Sequence, residues 1–164
     1  MKYMLTVAFD GSGFSGWQSQ KNAPTVQAEL TRCAQLVLGE GATVTGSSRT
    51  DSGVHALGFV CHLTCEKNLD SRAVVCALNA NLDPRIAVLD CREAEDDFHA
   101  RYSAVSKEYH YIIHNGAVHD PFTNTRAWHY PKPLDASHMD LAAKEFLGTH
   151  DFTSFMATGS KITD

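Results

Sequence analysis

The chain has 164 residues, a formal net charge of −5 and a 43% share of apolar residues. This length fits one ordinary domain or two small halves that share a sheet, and the apolar share argues against a disordered chain. The acidic balance argues weakly against a nucleic-acid binder, although an acidic protein can still carry a local basic groove.

The first half of the chain predicts strands and helices in the order β-α-β-β-α-β. Apolar alternation predicts the strands, and it places Leu57 and Phe59 on the same face of the third strand. A helical period predicts the helices. The predicted strands are Tyr3–Phe9, Thr43–Ser48, Val54–Cys65 and Ile86–Leu89, and the predicted helices are a segment capped by Thr25 and a segment over Ser71–Leu78. This order is typical of an α+β, ferredoxin-like fold, with an antiparallel sheet and both helices on one face.

The second half predicts one strand and one helix. The run Val105–His114 alternates as a strand does, with Tyr109 on one of its faces. The later helix is capped by Asp135, turns Met139 and Phe146 inward, and ends near residue 148. We therefore predict a ferredoxin-like N-terminal half over residues 1–95, and an incomplete start of a C-terminal half over residues 96–164.

The cysteines and the N-terminus indicate a reducing compartment. The five cysteines are an odd number without a C-x-x-C pair, so free thiols are expected rather than disulfides or a zinc site. Neither a signal peptide nor an apolar run of membrane-spanning length is present, so we expect a cytoplasmic protein without a membrane partner.

Two glycine-rich stretches stand out as candidates for a functional site. Asp10–Gln20 holds three glycines and two aromatic rings, but its spacing matches neither a dinucleotide fingerprint nor a phosphate loop. Gly46–Ala56 contains Arg49 and Asp51, which point to the same face if the chain is extended. A guanidinium at that distance favours the ionised carboxylate, which suits a nucleophile or a base. A polar turn or a structural salt bridge is the alternative interpretation.

Two other kinds of site are weaker hypotheses. Ser52, His55 and Asp51 supply the residue types of a hydrolase triad, but there is no G-x-S-x-G elbow and a triad rarely comes from one turn. His110 and His114 are four residues apart on a predicted strand, which does not bring imidazoles together as a helix would, so no metal site is expected.

Five blocks of the sequence resemble the TruA-type tRNA pseudouridine synthases. In chain order these blocks are Asp10–Gln20, Ser48–Ala56, Phe98–Arg101, Lys107–Ile113 and Asp151–Phe155. A single block would be weak evidence, but five in the family's order span nearly the whole chain and are highly specific.

The resemblance implies isomerisation of uridine to pseudouridine in the anticodon stem-loop of tRNA, near positions 38 to 40. It also implies a homodimer that uses no cofactor and no metal. Asp51 falls on the family's essential aspartate, and Arg49 on the arginine that pairs with it and helps to flip the target base. Tyr109 falls on the tyrosine that stacks on that base, and Arg101 and His55 are predicted to bind the substrate.

The sequence departs from the family pattern in two places, and one rival function remains. Ser48 stands where the family has a glycine before Arg-Thr-Asp, and the chain ends before the family's C-terminal portion. We therefore expect these 164 residues to have little or no activity alone. The rival is a non-catalytic, RRM-like RNA-binding module in which Tyr109 and Tyr111 stack bases from a sheet, although no RNP1-like pattern is present.

Overall fold

The computed structural model describes residues 1–156 of the chain, which divides into two compact units over residues 1–110 and 111–164. The elements of the first unit are β1 (Lys2–Phe9), α1 (Val26–Leu38), β2 (Thr43–Gly46), β3 (Ala56–Thr64), α2 (Ser71–Asn79) and β4 (Ile86–Glu93). The four strands form an antiparallel sheet in the order β2-β3-β1-β4, which confirms the predicted ferredoxin-like arrangement. The predicted boundary after residue 95 stays a prediction.

The core lies between one face of the sheet and the two helices. Along β1 the odd-numbered side chains from Tyr3 to Phe9 are buried, and the residues between them are half-buried. The buried side chains of α1 and α2 join the same apolar cluster, so both helices cover this face. Full burial of each large aliphatic side chain stabilises the fold by about 1.5–3 kcal/mol. Thr25 caps α1 as predicted, and its hydroxyl accepts a hydrogen bond from the Ala28 amide at 3.3 Å.

One prediction about β3 is wrong, because of a β-bulge. Simple alternation places Leu57 in the core beside Phe59, but Leu57 is 83% exposed. Val7 pairs with Phe59 and Phe9 pairs with Ala56, so β3 carries one extra residue between these two pairings. An extra residue shifts the phase of the strand by one, and Leu57 therefore turns away from the core.

The predicted strand over Val105–His114 is also wrong for most of its length. Only β5 (Ile113–His114) is a strand, and it pairs in parallel with β6 (Trp128–His129). Residues 101–112 are all exposed. A strand persists only where a neighbour pairs with its amides and carbonyls, and within residues 1–156 no strand lies alongside residues 105–111.

The second unit also contains the predicted helix, α3 (Ala136–Lys144), which begins at its Asp135 cap. The predicted inward-facing side chains are not buried: Met139 is 46% exposed and Phe146 is 51% exposed. None of the described residues from 111 to 156 is buried, so this part of the chain offers the helix no core to pack on. No helix within residues 1–156 is both long enough and apolar enough to cross a bilayer.

Candidate active site

Two loops of the first unit pack against each other through their backbones. We call residues 10–20 the glycine loop and residues 47–55 the aspartate loop. A Cβ on Gly11 would lie 2.1 Å from the Val54 carbonyl oxygen, and a Cβ on Gly16 would lie 2.2 Å from the Thr50 carbonyl oxygen. Gly16 also has a φ of +82°, which side-chain-bearing residues rarely adopt. Glycine is therefore required at both points of contact.

Hydrogen bonds fix the two loops to each other. The Trp17 amide donates to the Thr50 carbonyl at 3.2 Å, and the Gly53 amide donates to the Phe14 carbonyl at 3.2 Å. The Ser52 hydroxyl donates to the same Phe14 carbonyl at 3.2 Å. An acceptor before Asp51 and two donors after it are thus bonded to the glycine loop, and the backbone of the aspartate loop is held on both sides.

Trp17 anchors the glycine loop in the core. Its ring is 1% exposed and stacks on Phe59, with the ring centroids 4.2 Å apart. A Cβ on Gly46 would lie 2.5 Å from the indole, so the end of β2 fits closely against this ring. The Gln27 amide donates to the Trp17 carbonyl at 3.0 Å, which satisfies one of the free amides at the start of α1.

Arg85 holds the tip of the glycine loop. Its Nη1 donates to the Ser12 carbonyl at 2.8 Å, and its guanidinium carbon lies 4.4 Å from the centre of the Phe14 ring. The Asp83 carboxylate accepts two further hydrogen bonds from this guanidinium. These bonds lower the pKa of Asp83 to about 2, so the pair stays charged at neutral pH.

Asp51 itself is solvent-exposed and lies outside any strand. Among residues 1–156, no salt bridge joins it to Arg49, although the sequence predicts that pair. The chain turns immediately after the aspartate, where the Val54 amide donates to the Asp51 carbonyl at 3.3 Å. Because residues 49 to 51 are not held in a strand, the alternation that would place both side chains on one face does not apply.

A cleft of about 930 Å³ opens beside the aspartate loop, and it brings together two of the predicted site residues, Arg49 and Arg101. Lys107 is a third cation in its wall, and none of the described residues that line it is acidic. The cleft is therefore a local basic groove on an acidic protein.

The other three predicted site residues do not line this cleft. Asp51 follows Arg49 along the loop, and Tyr109 is 75% exposed. The Nδ1 atom of His55 accepts from the Gly11 amide at 3.2 Å and lies 3.1 Å from a carboxylate oxygen of Asp10. One nitrogen cannot accept from the amide and donate to the carboxylate at once, but either contact ties the aspartate loop to the glycine loop.

Comparison with known proteins supports the resemblance seen in the sequence. The sequence model of a family described as tRNA pseudouridine synthase matches residues 5–103, which include both loops and Arg101. The chain belongs to this family. It is 46% identical over 158 residues to the tRNA pseudouridine synthase A of Rhodospirillum rubrum, which covers 96% of this chain and 57% of the relative.

Two further relatives carry the same name. That of Thermoanaerobacter sp. is 42% identical over 160 residues, covering 98% of this chain and 66% of the relative. That of Listeria monocytogenes is 43% identical over 155 residues, covering 94% of this chain and 62% of the relative. The chain thus spans roughly three fifths of the length of the tRNA pseudouridine synthases that it matches.

The sequence alone assigns no individual role to two groups at this synthase-family site. Gln18 and Gln27 both line the cleft, and the side-chain Nε2 of Gln18 donates to the side-chain Oε1 of Gln27 at 3.0 Å. Their separation along the chain carries no local pattern, so only the fold reveals them. The Thr50 hydroxyl, next to Asp51, is buried and is the one such side-chain atom within residues 1–156 that lacks a hydrogen-bond partner. An unpaired buried hydroxyl costs about 1–3 kcal/mol.

No cluster of three or more histidine, cysteine or acidic side chains within residues 1–156 is arranged to hold an ion. Four of the five cysteines are buried and Cys76 is exposed, and all five are free thiols.

Proposed function

We propose that this protein isomerises uridine to pseudouridine in tRNA, and that Asp51 is its catalytic residue. One observation carries the proposal: an exposed carboxylate stands on a loop whose backbone is fixed by glycine contacts and hydrogen bonds on both sides. A reacting group must be open to its substrate and yet held in position, because misplacement by about 1 Å can cost a hundredfold in rate.

The reaction requires the N1–C1′ glycosidic bond to break, the base to turn, and C5 to bond to C1′. The C5 proton leaves in the last step and N1 takes up a proton, so the product is an isomer of the substrate. The carboxylate of Asp51 either attacks the ribose carbon or removes a ribose proton, and both routes need it ionised. Extrusion of the base costs a few kcal/mol. In this proposal Arg49 fills the vacated stack, and the exposed ring of Tyr109 stacks on the flipped uracil.

The cleft supports an RNA substrate. Its cations, Arg49, Arg101 and Lys107, are suited to contact phosphates of the tRNA backbone. Neutralising three phosphates predicts a slope of about −2 to −3 when log affinity is plotted against log salt. On the resemblance, we propose the anticodon stem-loop near positions 38 to 40 as the target, a homodimer as the active form, no cofactor, and the cytoplasm as the location.

Tritium release from tRNA labelled with 5-³H-uridine tests the proposal, because C5 loses its hydrogen during isomerisation. The assay uses the full-length polypeptide. We expect Asp51→Asn to abolish release while its tRNA affinity stays within about twofold to threefold, since the carboxylate is needed for chemistry rather than for binding. Asp97→Asn, at another exposed aspartate, is the matched control and should release tritium at the wild-type rate.

The same measurements separate this proposal from the RRM-like module. That module needs Tyr109 and Tyr111 on the sheet, but neither lies in a strand. A wild-type protein that binds tRNA and releases no tritium, or an Asp51→Asn variant that turns over normally, would refute the catalytic proposal.

A further inference from the structure

The turn over residues 98–103 brings Arg101 and Tyr102 to the cleft, and one buried histidine holds it to the sheet. His62, in β3, is 7% exposed. Its Nδ1 accepts a hydrogen bond of 3.1 Å from the amide of Ala100, which is itself 2% exposed. This is a single bond between a strand of the sheet and the residue that precedes Arg101.

A chain of contacts leads from His62 to Arg101. The ring of His62 meets that of His99 edge-on, with the centroids 4.8 Å apart, and His99 lies 4.4 Å from Tyr102. The Arg101 amide donates to Nδ1 of His99 at 3.2 Å, and the Arg101 guanidinium carbon lies 5.9 Å from the centre of the Tyr102 ring. A shift of the turn at its base therefore moves the guanidinium.

His62 must be neutral to make its bond, because only an unprotonated Nδ1 has a lone pair for the Ala100 amide. Burial lowers the pKa of His62, and the electrostatic effects of His99 in the turn and of Lys2 on β1 lower it further. Its register partners on β1 and β2, Met4 and Thr45, carry no charge. Lys2 also donates to the Phe98 carbonyl at 2.9 Å, a second attachment of the same turn.

We infer that His62 is a positioning residue, which holds Arg101 in the cleft by accepting the Ala100 amide. His62 does not line the cleft, so any effect on RNA must pass through the turn. The inference rests on the proposed function, in which Arg101 contacts a phosphate of the RNA.

Three substitutions of His62 separate the hydrogen bond from mere filling of space. The Oδ1 of asparagine reaches nearly the position of the histidine Nδ1 and can accept the Ala100 amide. Leucine fills similar space without an acceptor, and the longer side chain of glutamine carries its acceptor to the position of Nε2. The probe is a fluorescein-labelled synthetic anticodon stem-loop RNA, and the readout is its dissociation constant from the full-length protein at several salt concentrations.

We expect the His62→Asn variant to bind the RNA within about twofold of wild type. The His62→Leu and His62→Gln variants should bind it about tenfold more weakly, because each loses the one charge-assisted contact that Arg101 makes with the RNA. Their salt slopes should fall by about 0.7–0.9, as for the loss of one phosphate contact. Adding His62→Leu to Arg101→Ala should cause no further loss, because both act through the same contact. The polar His62→Gln variant keeps the test decisive if leucine prevents folding.

Two results would overturn the inference: an asparagine variant that binds as weakly as the glutamine variant, or losses from His62 and Arg101 that add in the double variant. Because the readout is RNA affinity, the result does not depend on turnover. RNA binding without tritium release refutes the proposed function alone, whereas normal release with additive losses refutes only the positioning role of His62.

Discussion

Replacement of individual glycines by alanine tests whether backbone packing holds the aspartate loop. Gly16 combines a φ of +82° with a Cβ position 2.2 Å from the Thr50 carbonyl oxygen. Gly53 has nearly the same φ, +78°, but no atom lies within 4 Å of its Cβ position. Gly58 has neither feature, because its nearest neighbour is a Thr6 methyl group at 3.9 Å. The three sites therefore separate conformational strain from steric overlap.

The expected losses of stability differ in a fixed order. Gly58→Ala should be neutral or should stabilise by up to about 1 kcal/mol, since alanine is less flexible when unfolded. Gly53→Ala should cost about 1–2 kcal/mol for the left-handed φ alone. Gly16→Ala should carry the same cost for its left-handed φ, and in addition about 1–3 kcal/mol for steric overlap and about 1 kcal/mol for weakening the Trp17 hydrogen bond to the Thr50 carbonyl. The expected total is about 3–6 kcal/mol.

Urea unfolding followed by the fluorescence of Trp17 measures these differences. Trp17 is buried in the first unit, and a Trp128→Phe background removes the signal of the other tryptophan, which lies in the second unit. The slope of free energy against urea should be unchanged, so that midpoints report stability. If Gly16→Ala were no less stable than Gly53→Ala, close contact with the aspartate loop would not be what requires glycine at position 16.

Three further predictions concern other parts of the first unit. Tyr3→Phe should destabilise the fold by about 1–3 kcal/mol in the same urea assay, because the hydroxyl both donates to the Leu69 carbonyl at 2.7 Å and accepts from its amide at 3.0 Å. Ellman's reagent should label only Cys76 before unfolding, since burial raises the pKa of the other four thiols; a second equally fast thiol would contradict this. Because the pKa of His62 is lowered in the folded state, the unfolded chain binds a proton at this residue more readily. The contribution of His62 to stability should therefore be complete above its ordinary pKa of 6.5 and should be lost as the pH falls below that value. The His62→Asn variant should show a weaker dependence of stability on pH.

The sequence predicts those parts of the fold in which a local pattern and the tertiary contacts agree. The alternation in β1 and the capped, periodic α1 are of this kind, because the sheet face and the helix stripe that they encode meet in one core. The wrong predictions concern segments whose conformation depends on the strands beside them rather than on their own pattern. A bulge opposite Ala8 turns Leu57 outward, and the apparent strand over residues 105–111 has no described strand with which to pair.

The candidate site was predictable in its residue types and not in its geometry. The match to the tRNA pseudouridine synthase family bears out the resemblance that singled out the aspartate loop. The pairing of Arg49 with Asp51 depended on an extended backbone, and the turn after the aspartate removes that condition. The cleft joins segments that are far apart in sequence, from Gln18 to Lys107, which no window of sequence can show.

The sequence suggested that Arg49 pairs with Asp51, so that one ion pair would both hold the carboxylate in place and provide the positive charge of the site. In the structure, different groups perform these two tasks. Backbone contacts of Gly11 and Gly16 fix the aspartate loop, so Asp51 needs no charged partner to hold its position. Arg49 lines the cleft with Arg101, where its charge is available to phosphate. An arginine committed to a carboxylate would have to lose that contact before it could bind RNA, and the exchange would cost part of the binding energy. In the proposed function, positioning of Asp51 by the backbone avoids this competition and leaves Arg49 free to contact the phosphate of the RNA.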